Sequence, residues 1–81
     1  DIESNYLEGD GSSCIIAVNR SREDGATNIT CVRPPFTPTR VRDLLTGEEL
    51  PFAWSEANGP NALTFELNVT GLSGRVIGVY P

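Results

Sequence analysis

Ser13-Cys14-Ile15-Ile16-Ala17-Val18-Asn19 and Thr27-Asn28-Ile29-Thr30-Cys31-Val32 are two apolar runs separated by residues 20–26, which contain the turn-forming dipeptide Asp24-Gly25. Read together they predict a β-hairpin, because the only two cysteines of the chain then fall opposite one another. In that register Ile16 faces Ile29 and Val18 faces Thr27, and side-chain alternation puts all of them on one face with the sulfurs. A Cys14–Cys31 disulfide closing this loop would contribute roughly 3 kcal/mol by chain entropy. It would also imply that the chain is secreted or held in another oxidising compartment. The opposite face then carries Ile15 and Ala17, an exposed apolar pair that is one candidate docking patch.

Working outward from the hairpin, helical periodicity is missing, and eight glycines and six prolines punctuate the 81 residues. A strand is expected near residues 3–7, closed by Glu8-Gly9-Asp10-Gly11. Pro34-Pro35-Phe36-Thr37-Pro38 removes backbone donors and reads as a crossover between sheets. Further strands are expected at residues 39–45 and 49–54 around a Thr46-Gly47-Glu48 turn. After a loop over residues 55–61, Leu63, Phe65, Leu67 and Val69 alternate with Thr64, Glu66 and Asn68, the plainest strand pattern in the chain. A last strand covers residues 75–80. About seven short strands at this spacing predict a single domain over residues 1–81, an all-β, small antiparallel β-sandwich with Greek-key-like connections.

Eleven acidic residues against six arginines, with no lysine, give a net charge of −5 and argue against nucleic-acid partners, which need clustered basic charge. No apolar run approaches the ~20 residues of a membrane-spanning helix. Residues 1–10 lack the basic, apolar and small-residue order of a signal peptide, so a targeting segment is expected outside this stretch, as in a fragment or a processed product.

Chemistry is sparse. Histidine is absent, and with both sulfurs committed to a bridge, Ser-His and Cys-His nucleophilic arrangements are excluded. Asp43, Glu48, Glu49 and Glu66 are the candidates for a glycosidase-type carboxylate pair, but their turn and polar-face positions read as solvated surface. Asp1, Glu3, Glu8 and Asp10 form the densest oxygen cluster without the ligand spacing of a calcium loop. No catalytic residue, metal or cofactor is therefore expected. Three sequons, Asn19-Arg20-Ser21, Asn28-Ile29-Thr30 and Asn68-Val69-Thr70, are candidate N-glycosylation sites whose asparagines all have outward parity in the expected register. Tyr6, Phe36 and Trp54 are the candidate carbohydrate-stacking rings. Phe52 and Trp54 share the parity of Leu50 and are expected to cover the core.

Three stretches resemble the C-terminal all-β accessory domain of glycoside hydrolases with a (β/α)₈-barrel catalytic domain, as in β-galactosidase-like and α-amylase-like enzymes. They are Leu7-Glu8-Gly9-Asp10-Gly11 with Ile15-Ile16-Ala17-Val18-Asn19-Arg20-Ser21, then Val41-Arg42-Asp43-Leu44-Leu45-Thr46-Gly47-Glu48, and finally residues 72–81, Leu-Ser-Gly-Arg-Val-Ile-Gly-Val-Tyr-Pro. The resemblance implies a non-catalytic accessory module that docks to and stabilises the catalytic domain of a secreted glycoside hydrolase. The cysteine pair and the proline-rich crossover depart from the family pattern. Two other readings stand beside it. An autonomous carbohydrate-binding module would use Tyr6 and Trp54. An immunoglobulin-like interaction or adhesion domain would share the architecture, although Trp54 follows both cysteines instead of lying between them.

Overall fold

The computed structural model describes residues 1–56 and 59–81. Its seven strands are β1 (Ile2–Glu8), β2 (Ser13–Asn19), β3 (Gly25–Val32), β4 (Arg40–Asp43), β5 (Ala53–Ser55), β6 (Ala62–Val69) and β7 (Gly74–Tyr80). They form two antiparallel sheets, sheet A in the order β1-β2-β7-β4 and sheet B in the order β3-β6-β5. Of the loop expected over residues 55–61, Ala57 and Asn58 lie outside the described residues.

One core joins the sheets. Ile15, Ala17, Val41, Ile77 and Val79 enter it from sheet A, and Ile29, Leu63, Phe65, Leu67 and Val69 from sheet B. The alternation of β6 is realised: Leu63, Phe65, Leu67 and Val69 are buried, while Glu66 and Asn68 are exposed. Phe36, Leu50, Phe52 and Trp54, all on segments that cross between the sheets or border them, pack against the same core.

The expected hairpin does not form. β2 is flanked on both sides within sheet A, by β1 and β7, and β3 pairs only with β6 in sheet B. Residues 20–24 therefore form a corner that carries the chain from one sheet to the other. Asp24 turns its carboxylate to the partner crossover, where Oδ1 accepts the Gly71 N–H at 2.9 Å. The parity of β2 is also the reverse of expectation: Ser13, Ile15, Ala17 and Asn19 are buried, and Cys14, Ile16 and Val18 point outward. Both cysteines are free thiols. Cys14 lies on the outer face of sheet A, whereas Cys31 shares the inward parity of Ile29 and packs on the core. Sheet A stands between them, so the Cβ vectors cannot converge as a disulfide requires.

Two further boundaries shift for local reasons. The strand expected over 39–45 stops at Asp43, because Asp43 Oδ1 accepts the N–H groups of Leu45 (2.7 Å) and Thr46 (2.9 Å) and bends the chain into a turn. The strand expected over 49–54 splits. Glu49 bridges Arg42 in sheet A, then Pro51 removes a donor and the chain crosses to become β5 of sheet B. The crossover at residues 34–38 connects the sheets as expected.

Candidate functional site

At one end of the molecule the two sheet-to-sheet corners, residues 20–24 and 70–73, are tied together through Asn19. Its Nδ2 donates to the carbonyls of Glu23 (2.9 Å) and Val69 (3.0 Å), and its Oδ1 accepts the Ser21 N–H at 2.9 Å. Main-chain bonds from Asn19 N–H to Ser73 O and from Leu72 N–H to Ser21 O complete the join. Gly71 is required here: a Cβ at this position would collide with the backbone of Arg22. Asn19 is only 1% exposed, which removes it from the candidate glycosylation sites, because a buried amide with its hydrogen bonds satisfied cannot carry a glycan in the folded chain.

A second fastening holds the β4 end of sheet A. Asp43, buried, receives Arg75 Nε on Oδ2 at 2.9 Å, while Arg75 Nη2 reaches Glu48 at 3.0 Å and Nη1 donates to the Asn68 carbonyl of sheet B at 3.0 Å. Burial alone would raise the Asp43 pKa. The hydrogen bonds from Thr46, Arg75 and Leu45 and the charge of Arg75 outweigh it, and the carboxyl titrates below the ordinary aspartate value. Glu49 is likewise lowered, by its hydrogen bond to Arg40 on the surface. Asp43, Glu48 and Glu49 are thus engaged with arginines, and Glu66 stands apart on the outer face of sheet B.

The remaining sequence candidates are dispersed. Tyr6, on the edge strand β1, donates to or accepts from Ser13 Oγ at 2.8 Å. Trp54 lies on β5, at the edge of the other sheet, packs on the core and gives its Nε1–H to Glu56 at 2.9 Å. Phe36 is turned to the core from the crossover. Tyr6 and Trp54 thus stand on edge strands of different sheets. Glu3 and Glu8 are separated by most of an extended strand, about 17 Å, so the acidic N-terminal residues do not converge. Glu3 pairs with Arg20 instead. Among the described residues no group of three or more His, Cys, Asp or Glu side chains is placed to hold a metal ion, and no helix is long and apolar enough to cross a membrane.

Ile15 and Ala17 are 2% and 0% exposed and belong to the core, so the docking patch expected of them is not there. The apolar surface lies on the other side of the same strand. Pairing registers align Leu7, Cys14 and Gly78 in one row across sheet A, and Asn5, Ile16 and Val76 in the next. Val18, Leu44 and Tyr80 extend this outer face. Leu44 and Tyr80 fold over Gly78, where a Cβ would sit 2.7 Å from the Tyr80 hydroxyl and 2.9 Å from Leu44 Cδ2, so glycine is what lets them lie flat. Leu7, Val18 and Leu44 are respectively 53%, 41% and 42% exposed. Into this face β4 projects Arg42, opposite Gly78. Its Nε is buried without a hydrogen-bond partner, and among the described residues it makes no ion pair.

Comparison of the chain with protein-family models, with curated proteins and with solved structures found no match.

Proposed function

We propose that this chain is a non-catalytic β-sandwich accessory module, Greek-key-like in its connections, of a secreted glycoside hydrolase, and that it docks to the catalytic domain through the outer face of sheet A. The observation that carries the reading is the apolar patch of that face, exposed Leu7, Val18 and Leu44 with the half-buried Cys14, Ile16 and Val76 between them, and the unpaired Arg42 beside it. A surface of this kind is characteristic of a protein partner. Arg42 fits a partner carboxylate within an apolar surround, since a guanidinium recognises carboxylates by paired hydrogen bonds. The sequence resemblance supplies the class of partner, a (β/α)₈-barrel catalytic domain. The engagement of Asp43, Glu48 and Glu49 with arginines supports a bracing role without chemistry of its own.

The test is titration of the module against the barrel domain encoded with it. Val18→Glu is expected to weaken binding by about tenfold or more, corresponding to roughly 1.4 kcal/mol or more. Thr64→Glu, on the outer face of sheet B, is expected to leave it unchanged. Equal affinity of all three proteins would remove sheet A from the contact. Binding to a polysaccharide in place of the barrel would favour the autonomous carbohydrate-binding module.

A further inference from the structure

Of the three sequons, the two whose asparagines are exposed, Asn28 and Asn68, share the outer face of sheet B, because Asn28 is registered against Glu66 and Asn68 against Ala26 on paired strands. Asn28 also holds a special position. Among the described residues β3 is an edge strand with β6 as its only hydrogen-bonded neighbour, and Asn28 lies in the middle of its eight residues.

Unpaired edges invite pairing with another chain and are ordinarily guarded by charge, proline or shortness. The other edges of this molecule follow that rule. β1 carries Glu3 and Glu8, β4 carries Arg40, Arg42 and Asp43, and β5 is three residues long between Pro51 and Glu56. β3, Gly-Ala-Thr-Asn-Ile-Thr-Cys-Val, has neither a charge nor a proline.

We infer that Asn28 is an N-glycosylation site whose oligosaccharide guards the β3 edge against strand pairing between copies. The inference rests on the secretory part of the reading above. In the transfer the Asn28 side-chain nitrogen bonds to C1 of the terminal N-acetylglucosamine of a lipid-pyrophosphate-linked oligosaccharide. The C1–O bond to the pyrophosphate breaks, the lipid pyrophosphate leaves with that electron pair, and the amide gives up one proton. The sugar then stands on the outer face at the centre of the edge, where a bulky, hydrated group keeps a second β3 from approaching. Asn68, on the central strand β6, accepts the same modification without an edge to protect.

The experiment is secretion of residues 1–81 from eukaryotic cells behind a cleavable signal peptide, with site occupancy read by mass spectrometry and association by size-exclusion chromatography with light scattering. The expected results are glycan at Asn28 and none at Asn19, a monomeric wild type, and a shift to oligomers for Asn28→Gln and for Thr30→Ala, which destroys the sequon while keeping Asn28. Asn28→Lys, which places a charge on the edge without sugar, is expected to be monomeric. An unmodified Asn28 in secreted wild type, or an Asn28→Gln protein as monomeric as wild type, overturns the inference. Neither readout involves a catalytic domain, so failure here is distinguishable from failure of the docking reading, which the barrel titration alone decides.

Discussion

The central strands of the two sheets differ in kind. β6, in the middle of sheet B, alternates strictly, with Leu63, Phe65, Leu67 and Val69 inward and Thr64, Glu66 and Asn68 outward. β2 and β7, in the middle of sheet A, are apolar on both sides: Cys14-Ile15-Ile16-Ala17-Val18 and Val76-Ile77-Gly78-Val79-Tyr80 contain no polar outward row. Alternation marks a strand with one covered face, and a continuous apolar run marks one covered on both. The outer face of sheet B is thus mostly polar, with Val32 at the end of β3 its one large exposed apolar side chain among the described residues, whereas the outer face of β2 and β7 is apolar. This difference is the ground for the docking surface proposed above on sheet A.

The two sheets share one core, and the severest perturbation is to cut what fastens them. Asp43→Ala removes the acceptor of Arg75 Nε and of the Leu45 and Thr46 N–H groups, while Glu48 and the Asn68 carbonyl still hold the guanidinium, with an expected loss of about 3 kcal/mol in chemical denaturation. The same fastening sets an acid response. Because the folded pKa of Asp43 is depressed, its contribution is present above about pH 4, the ordinary unfolded value, and is lost as pH falls through the lower native value. Wild type is expected to lose stability over that interval more steeply than Asp43→Asn, as followed by denaturation midpoints at stepped pH. Asn19→Ala comes next. It leaves the Val69 and Glu23 carbonyls and the Ser21 N–H without their partner at the joined corners, and a loss of about 2–3 kcal/mol is expected. In both variants probes on the two sheets are expected to melt together. The smallest effect sharpens the contrast directly: Val18→Glu and Thr64→Glu should each change stability by no more than about 0.5 kcal/mol, although only the former should weaken docking.

What the sequence disclosed follows from the same contrast. β6 was legible in extent and in facing because polarity alternates along it. β2 was legible in extent, Ser13 to Asn19, but not in facing, since both of its sides are apolar and its polar ends, Ser13 and Asn19, are buried with hydrogen bonds of their own. Symmetry of the two cysteines in the chain then suggested a pairing that the corner at residues 20–24 prevents. Phe52 and Trp54 face the core as their parity with Leu50 implies. The Asp43–Arg75 pair joins residues 32 positions apart, and nothing local announces it. The early stop of β4 was readable in hindsight from Asp43 as a turn-forming acceptor. The apolar outer face of sheet A carried a signal too, in the unbroken apolar run of residues 14–18, which leaves apolar side chains on both sides of β2.

Cys14 offers the most direct measurement of the central claim, because it is a free thiol on the outer face of sheet A, while Cys31 packs against the core with its thiol pKa raised by burial. Alkylation followed by mass spectrometry reads both positions in one protein, alone and with the barrel domain added. The account predicts that Cys14 is modified faster than Cys31 in the isolated module and becomes protected in the complex. Unchanged Cys14 modification in a complex shown to have formed, or a Cys14–Cys31 disulfide in the folded protein, would contradict it.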